Sequence, residues 1–224
     1  MRILAAADLH GDHDICTWLV QLAKKTRAEV VVLAGDLLGA KPGHDGSIEE
    51  AHRADATAIV DLLAAVEVPV FYVMGNDDMV ELEPRVSGIQ SVHNRRIELG
   101  GFNFVGYQYS LPFMGGIHEK PEEEIREDLA GLASLVDGST ILVTHSPAYG
   151  VLDLGIPDRH AGSRAILDVV VERNPVGHIH GHIHSQFGRA DKHFNVAAAG
   201  HKRGILLDLR TMTHEVVQED AHHE

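Results

Sequence analysis

The run Gly-His-Ile-His-Gly-His-Ile-His, residues 177–184, places four histidines at alternate positions late in the chain. Near the other end of the sequence, the first apolar segment stops at Asp8-Leu9-His10. Side chains alternate along an extended backbone, so each Asp-x-His or His-x-His pair puts two good metal-binding groups on the same side. The two runs therefore predict a metal site that takes ligands from both ends of the chain.

Three further polar groups follow apolar, β-branched segments in the same way. They are Gly35-Asp36, Gly75-Asn76-Asp77 and Thr144-His145-Ser146. The strands that precede all five polar groups are expected at Ile3–Ala7, Glu29–Ala34, Val68–Met74, Thr140–Thr144 and Val176–His180. The carboxyl ends of parallel strands meet at one edge of a sheet, so the pattern predicts one site assembled from loops at that edge.

Extended and helical patterns alternate along the first part of the chain, which indicates a parallel sheet with right-handed crossovers. Helices are expected at His13–Lys25, from a Ser47 cap to about Val66, at Glu122–Leu135, and from a Ser163 cap to Glu172. Later strands are expected at Arg95–Leu99, Phe102–Tyr107, near Phe187, His193–Val196, Ile205–Leu209 and His214–Val217. Because the candidate ligands extend from Asp8 to His184, we predict that residues 1–224 form a single domain.

The composition limits the partners that we expect. The 224 residues have a formal charge of −14 with neutral histidines, which disfavours long nucleic acid and anionic membranes. A phosphate-ester substrate stays compatible, because bound cations would reverse the local field. The single cysteine, Cys16, fits a reducing compartment, and we find neither a signal peptide nor an apolar run that would span a bilayer. We therefore predict a cytoplasmic protein, with a homo-oligomer possible.

The donor set indicates how many metal ions the site would hold. The candidate ligands are Asp8, His10, Asp36, Asn76, His145, His182 and His184. Seven ligands exceed the needs of one tetrahedral ion and suit two ions about 3.5–4 Å apart that share a carboxylate. Asp36 stands alone after its strand, which makes it the natural bridge. Carboxylate and imidazole ligands together suit a borderline divalent metal such as manganese, iron, cobalt or zinc. We take manganese as the first candidate, with iron, zinc, cobalt and nickel as the other possible metals.

The same motifs resemble those of the calcineurin-like metallophosphoesterases, and in particular the small prokaryotic phosphodiesterase-like members. The matching motifs are DLHGD at 8–12, GDLL at 35–38, GNDD at 75–78, THSP at 144–147 and GHIH at 181–184. The resemblance implies an α/β fold of four layers, αββα, with two facing mixed sheets flanked by helices and a dimetal centre at the strand ends. It also implies that Asp8, His10, Asp36 and His184 hold one metal, and that Asp36, Asn76, His145 and His182 hold the other.

The implied activity is hydrolysis of phosphate esters, with phosphodiesters preferred, by in-line attack of a hydroxide that bridges the two metals. We name Asp36, Asn76, His145 and Asp77 as catalytic candidates. Many family members have histidine at the position of Asp77, where it is a candidate acid for the leaving group or a phosphate contact. The aspartate leaves that acid unassigned, and His13 is a substitute candidate.

Two alternatives remain open from the sequence. The chain could be a nuclease or nucleotide pyrophosphohydrolase that uses the same chemistry, or a metal-binding regulatory module without turnover. Tyr107–Pro121 and Tyr149–Ser163 are candidate substrate loops beside the motifs. His178 and His180 are interpreted as buried strand residues, with His180 the better candidate to support a ligand.

Overall fold

The computed structural model describes residues 1–40, 43, 45–84, 86–155 and 158–219. Its strands are β1 Arg2–Ala6, β2 Val30–Ala34, β3 Val70–Val73, β4 Ile89–Ser91, β5 Arg96–Leu99, β6 Phe102–Tyr107, β7 Thr140–Thr144, β8 Gly177–His180, β9 Gly188–Ala190, β10 His193–Asn195, β11 Arg203–Asp208 and β12 Thr213–Gln218. Its helices are α1 His13–Thr26, α2 Ile48–Leu63, α3 Glu122–Leu132 and α4 Arg164–Arg173, with short 3-10 turns at Ala133–Leu135 and His184–Gln186.

The strands form two mixed sheets. The first has the order β12-β11-β1-β2-β3-β4, in which β1 to β4 are parallel and β11 and β12 are antiparallel additions. The second has the order β5-β6-β7-β8-β10-β9, with a parallel centre from β6 to β10 and an antiparallel strand at each edge. The site-bearing strands β1, β2, β3, β7 and β8 all lie in the parallel parts.

Successive side chains of the central strands alternate between two apolar layers. In β1, Ile3 and Ala5 pack between the sheets, whereas Leu4 and Ala6 pack under α1 and α2. Phe71 of the first sheet contacts Phe104 of the second, with 4.9 Å between ring centroids. A third cluster packs α3 and α4 on the outer face of the second sheet. The αββα sandwich implied by the motifs is therefore confirmed.

Helix ends follow the signals in the sequence. The Asp12 side chain accepts hydrogen bonds from the first turn of α1, and Ser47 and Glu50 form the expected capping box of α2. Cys16 lies buried on α1, as expected for a small apolar side chain, and burial raises its pKa to about 12. Within the described residues, no helix has the combination of length and hydropathy needed to cross a membrane.

The sequence prediction missed one strand and placed some ends too far out. The unpredicted strand is β4, three residues that pair in parallel with β3. Its residues Ile89, Gln90 and Ser91 are too few to show a period, which explains the omission. Helix α2 ends at Leu63 and not near Val66, and the last residues expected in α3 form a 3-10 turn.

Candidate metal centre

The predicted ligands come together where the parallel strands end. Asp8 and His10 follow β1, Asp36 follows β2, Asn76 follows β3, His145 follows β7, and His182 and His184 follow β8. The ligand loops lock together through the backbone, because the N–H of Asp8 donates to the carbonyl of Gly35 and that of His10 donates to the carbonyl of Asp36.

Four of these residues have backbones that are unusual for their type. Asp8, His10, Asp36 and His182 have positive φ angles of 55°, 47°, 51° and 70°. Few non-glycine residues adopt this left-handed conformation, which persists where the surrounding structure enforces it and is common at functional sites. The strain could not be read from the sequence, since aspartate and histidine do not report their φ angle.

Asp8, His10 and His184 form the first cluster. One ligand atom from each lies within 4.8 Å of the others. The Nε2 atoms of His10 and His184 are 3.2 Å apart, and Nε2 of His184 lies 3.1 Å from Oδ1 of Asp8. The Asp8 carboxylate is buried and also accepts the backbone N–H of His182. The cluster therefore offers a converging carboxylate and two imidazoles.

Asp36, His145 and His182 form the second cluster, with ligand atoms within the same 4.8 Å of one another. Nε2 of His145 lies 3.3 Å from Oδ2 of Asp36 and 2.9 Å from Oδ1 of Asn76, so the amide oxygen of Asn76 joins this group. Nδ1 of His145 contacts the carbonyl of Ala34 at 2.9 Å, which fixes the ring so that Nε2 faces the site.

Burial and the attraction between opposite charges act against each other in the second cluster. Burial favours the neutral form of each group, yet the Asp36 carboxylate raises the pKa of His145 to about 10 despite burial, and His145 in turn lowers the pKa of Asp36. For His182, burial prevails and lowers the pKa to about 4. The charged Asp36 carboxylate and the neutral His182 imidazole can both act as metal ligands, and a bound divalent cation would take the place of the proton on Nε2 of His145.

Two glycines leave room for the ligand carboxylates. A Cβ atom added to Gly75 would lie 2.2 Å from Oδ1 of Asp36, and one added to Gly181 would lie 2.3 Å from Oδ2 of Asp8. Both contacts are shorter than any side chain tolerates. The glycines of the GND and GHIH motifs therefore let the Asp36 and Asp8 carboxylates approach the backbone of neighbouring loops.

Asp78 connects the loop that follows β2 with the loop that follows β3. Its buried carboxylate accepts the N–H groups of Leu37 and Leu38 at Oδ1 and that of Gly75 at Oδ2, at 2.8 to 2.9 Å. The sequence alone is equally consistent with a ligand-orienting role and with a turn-capping role for Asp78. The contacts show that it holds the backbone that follows Asp36 and the backbone that precedes Asn76.

The acid candidates have other partners. Oδ2 of Asp77 lies 3.3 Å from Nδ1 of His10, and the Asp77 backbone N–H donates to Oδ1 of Asp36. Nε2 of His13 lies 2.6 Å from Oδ1 of Asp55 on α2. Both residues are thus tied to neighbours at the rim, and the leaving-group acid stays unassigned.

The histidines of β8 lie beneath the ligand loops, as predicted. His178 contacts Thr144 and His193 at 2.7 and 2.9 Å. His180 is fully buried, and among the described residues its Nε2 atom has no hydrogen-bond partner. Burial lowers the pKa of both histidines, to about 3 for His180, so they are neutral at physiological pH.

Sequence reasoning overlooked two residues beside the site. Arg203 of β11 donates to the backbone carbonyls of Ala197 and His184, which fastens the last ligand loop. Phe113 approaches His182, with ring centroids 6.0 Å apart. Neither residue is close to a motif in sequence, although Phe113 falls within the predicted substrate loop Tyr107–Pro121. In the other predicted substrate loop, His160 contacts Asp153 of the same segment.

Comparison with known proteins places this geometry in context. A family model described as calcineurin-like phosphoesterase matches residues 1–186. The crystal structure of TT1561 from Thermus thermophilus is similar, with 20% sequence identity, a TM-score of 0.74, and coverage of 97% of this chain and 98% of that chain. A dimetal phosphatase from Danio rerio has 15% identity and a TM-score of 0.57, over 88% of this chain and 86% of that chain. No curated protein gives a significant match.

Proposed function

Because the chain belongs to the calcineurin-like phosphoesterase family, and is therefore a hydrolase of phosphoric esters, we propose that it cleaves phosphodiesters at a dinuclear metal centre. The observation that supports this most strongly is the pair of adjacent ligand clusters at the strand ends. An arrangement of two carboxylates, an amide and four imidazoles is difficult to explain in a module without turnover.

We assign the ligands as the motifs imply. Asp8, His10 and His184 would hold one ion, Asn76, His145 and His182 would hold the other, and both ions would share Asp36. Each of the two clusters brings together three of the ligands proposed for one ion. Asn76 adds a fourth ligand to the second cluster, because its amide oxygen contacts Nε2 of His145. The bridging role of Asp36 is the part of this assignment that rests on the family pattern. Manganese is our proposed metal, and the mixed oxygen and nitrogen donors suit iron, cobalt and zinc as well.

Bound metal ions would supply an activated water as nucleophile and positive charge for the phosphoryl oxygens. The protein contributes the orientation of the ligands. Ala34 fixes the ring of His145, Asp77 fixes that of His10, and Asp78 holds the loops that present Asp36 and Asn76. This preorganisation is the part of catalysis that the side chains supply before the substrate arrives.

The charge at the rim supports the preference for diesters. The Asp77 side chain is 43% exposed beside His10, and its carboxylate would repel a dianionic monoester more strongly than a monoanionic diester. A histidine at this position would have the opposite effect. The same charge argues against long nucleic acid, as does the net charge of −14.

The test compares a diester with a monoester that has the same leaving group. We expect the manganese-loaded protein to hydrolyse bis(p-nitrophenyl) phosphate with a higher kcat/KM than p-nitrophenyl phosphate. Asp36→Ala and Asn76→Ala should abolish both activities, whereas Asp61→Ala, at an exposed position of α2, should leave them unchanged. Full metal occupancy without turnover of either ester would contradict the proposal.

Four broader predictions accompany this function. The ligands span Asp8 to His184, which supports one domain over residues 1–224. The single buried Cys16 is compatible with the cytoplasm as the site of action. Small phosphate esters are the proposed substrates, and a homo-oligomer remains a prediction that sedimentation would test.

A further inference from the structure

An unusual apolar cluster lies on the loop formed by residues 111–119, here called the tip loop. Phe113, Met114 and Ile117 are 71%, 74% and 57% exposed. Large apolar side chains are exposed singly on most protein surfaces, and grouping of several on one short loop marks a binding surface. The chemistry of its partner follows from where the loop lies.

The tip loop lies against the candidate metal centre. The ring of Phe113 meets that of His182 edge to face, with centroids 6.0 Å apart and an interplanar angle of 85°. His182 belongs to the second ligand cluster. An ester whose phosphoryl group is bound at that cluster therefore brings its organic group within reach of Phe113.

The loop is held in this position by hydrogen bonds. The Glu119 carboxylate accepts the backbone N–H groups of Phe113, Met114 and Gly115 at 2.8 to 2.9 Å. Burial would raise the pKa of Glu119, but these N–H groups lower it overall, so the carboxylate stays charged. The charged Glu119 carboxylate thus fixes the backbone of the tip loop in a conformation that leaves Phe113, Met114 and Ile117 exposed.

The base of the loop is attached directly to a ligand motif. Nδ1 of the buried His118 lies 3.0 Å from the carbonyl oxygen of Gly75, and Nε2 lies 3.1 Å from Glu81. The backbone of Gly116 packs so closely on Asn76 that an added Cβ would lie 2.0 Å from its carbonyl oxygen. The position of Phe113 is thus coupled to the loop that presents Asn76.

We propose that Phe113, supported by Met114 and Ile117, binds the organic group of the substrate and selects phosphate esters of aromatic or flat apolar groups. This inference rests on the proposed function, because it assumes that the phosphoryl group binds at the metal centre. An aromatic group that packs on Phe113 gains a ring contact and buries apolar surface that is otherwise exposed. A small alkyl group gains neither.

Calorimetric titration of the manganese-loaded protein with phenylphosphonate and with methylphosphonate tests the inference without requiring turnover. Both ligands present the same anion, and only the first has a ring. We expect wild-type protein to bind phenylphosphonate more tightly. Phe113→Ala should weaken phenylphosphonate about fivefold to tenfold and leave methylphosphonate unchanged, while Phe113→Tyr should retain the preference.

The matched control is Val171→Ala on α4, since Val171 is 70% exposed and lies outside the tip loop. It should change neither affinity. Equal binding of both phosphonates to wild type, or equal losses for both in Phe113→Ala, would overturn the inference while leaving the metal centre intact. Failure of both phosphonates to bind would instead contradict the phosphoryl-binding metal centre on which the proposed function depends. A dimer that Phe113→Ala dissociates, with both affinities unchanged, would identify the tip loop as a contact between copies and also overturn the inference.

Discussion

Asp78 shows how much of the site depends on a residue that meets no substrate. Its carboxylate is fully buried and receives three backbone N–H groups, from Leu37, Leu38 and Gly75. Burial and the nearby charge of Asp36 raise its pKa, whereas the N–H groups of Gly75 and Leu38 act in the opposite direction. Both carboxylate oxygens are needed, one for each of the two ligand loops.

We predict that Asp78→Asn loosens these loops. The amide oxygen can still accept from Leu37 and Leu38, but the amide nitrogen then faces the N–H of Gly75, donor against donor. The unsatisfied buried N–H should lower the free energy of unfolding by about 1–3 kcal/mol, and manganese affinity should fall with it. Urea unfolding and metal titration measure the two effects.

The matched control is Asp12→Asn. Oδ1 of Asp12 accepts the N–H groups of Asp14 and Ile15 at the start of α1, and asparagine caps a helix as well as aspartate does. Stability and metal affinity should both stay close to the wild-type values. Equal losses in the two variants would show that the orienting role of Asp78 is wrong.

At the scale of secondary-structure elements, the tip loop illustrates what periodicity leaves out. The sequence predicts Ser110–Pro121 as a loop because glycine and proline interrupt any period. The structure shows two kinds of contact that hold this loop. The Glu119 carboxylate accepts backbone N–H groups from within the loop, and the His118 ring contacts the backbone carbonyl of Gly75, which is distant in sequence. No residue pattern encodes such contacts, so the order of this segment could not be predicted.

Gly116→Ala tests the coupling between the tip loop and the Asn76 motif. The added methyl group would collide with the carbonyl oxygen of Asn76 and must displace one of the two loops. Because small displacements of catalytic groups reduce rates strongly, we expect kcat/KM to fall about tenfold or more. The measurement is hydrolysis of bis(p-nitrophenyl) phosphate at saturating manganese.

Gly131→Ala provides the same substitution in open space. Gly131 lies in α3, and a Cβ atom added there would meet no described atom within 4 Å outside its own helix. The change should therefore raise the free energy of unfolding by about 0.5–1 kcal/mol without affecting kcat/KM. An unchanged rate in Gly116→Ala would mean that the tip loop moves independently of Asn76.

Over the whole molecule, the predictability of the site follows from the topology. Asp8, Asp36, Asn76 and His145 could be identified because each ends a parallel strand, and parallel strands bring their carboxyl ends together. The two sheets face each other, so His145 of the second sheet reaches Asp36 of the first. Arg203 could not be identified, because its role depends on an antiparallel strand that fastens the His184 loop from outside the motifs.

Acid should destabilise the metal-free protein through His93, a histidine distant from the metal ligands in sequence. Burial lowers the pKa of His93 to about 4, despite the opposing charge of Glu81, and its Nδ1 accepts the N–H of Gln108. Between about pH 6.5 and 4 the unfolded chain binds a proton that the folded protein does not, so stability falls as pH falls through this window. The full loss is about 3 kcal/mol.

The check is the pH dependence of urea unfolding in His93→Asn. Asparagine retains an acceptor near the position of Nδ1 and removes the titration, so the variant should lose less stability than wild type between about pH 6.5 and 4. Above that window the difference between the two proteins should be constant. Identical slopes would mean that His93 is not the group that resists protonation.

Removal of the metal should lower the thermal stability of the protein. The residues Asp8 and Asp36 are 0% and 4% exposed, and a bound cation compensates such buried charge. Ligands that bind only the native state add about 2.7 kcal/mol at a hundred times their dissociation constant, so manganese should raise the midpoint of thermal unfolding and chelation should lower it. Asp8→Asn should greatly reduce the manganese-dependent shift, whereas Asp14→Asn, on the exposed side of α1, should preserve it. An equal shift in both variants would mean that manganese stabilises the protein from somewhere other than the strand ends.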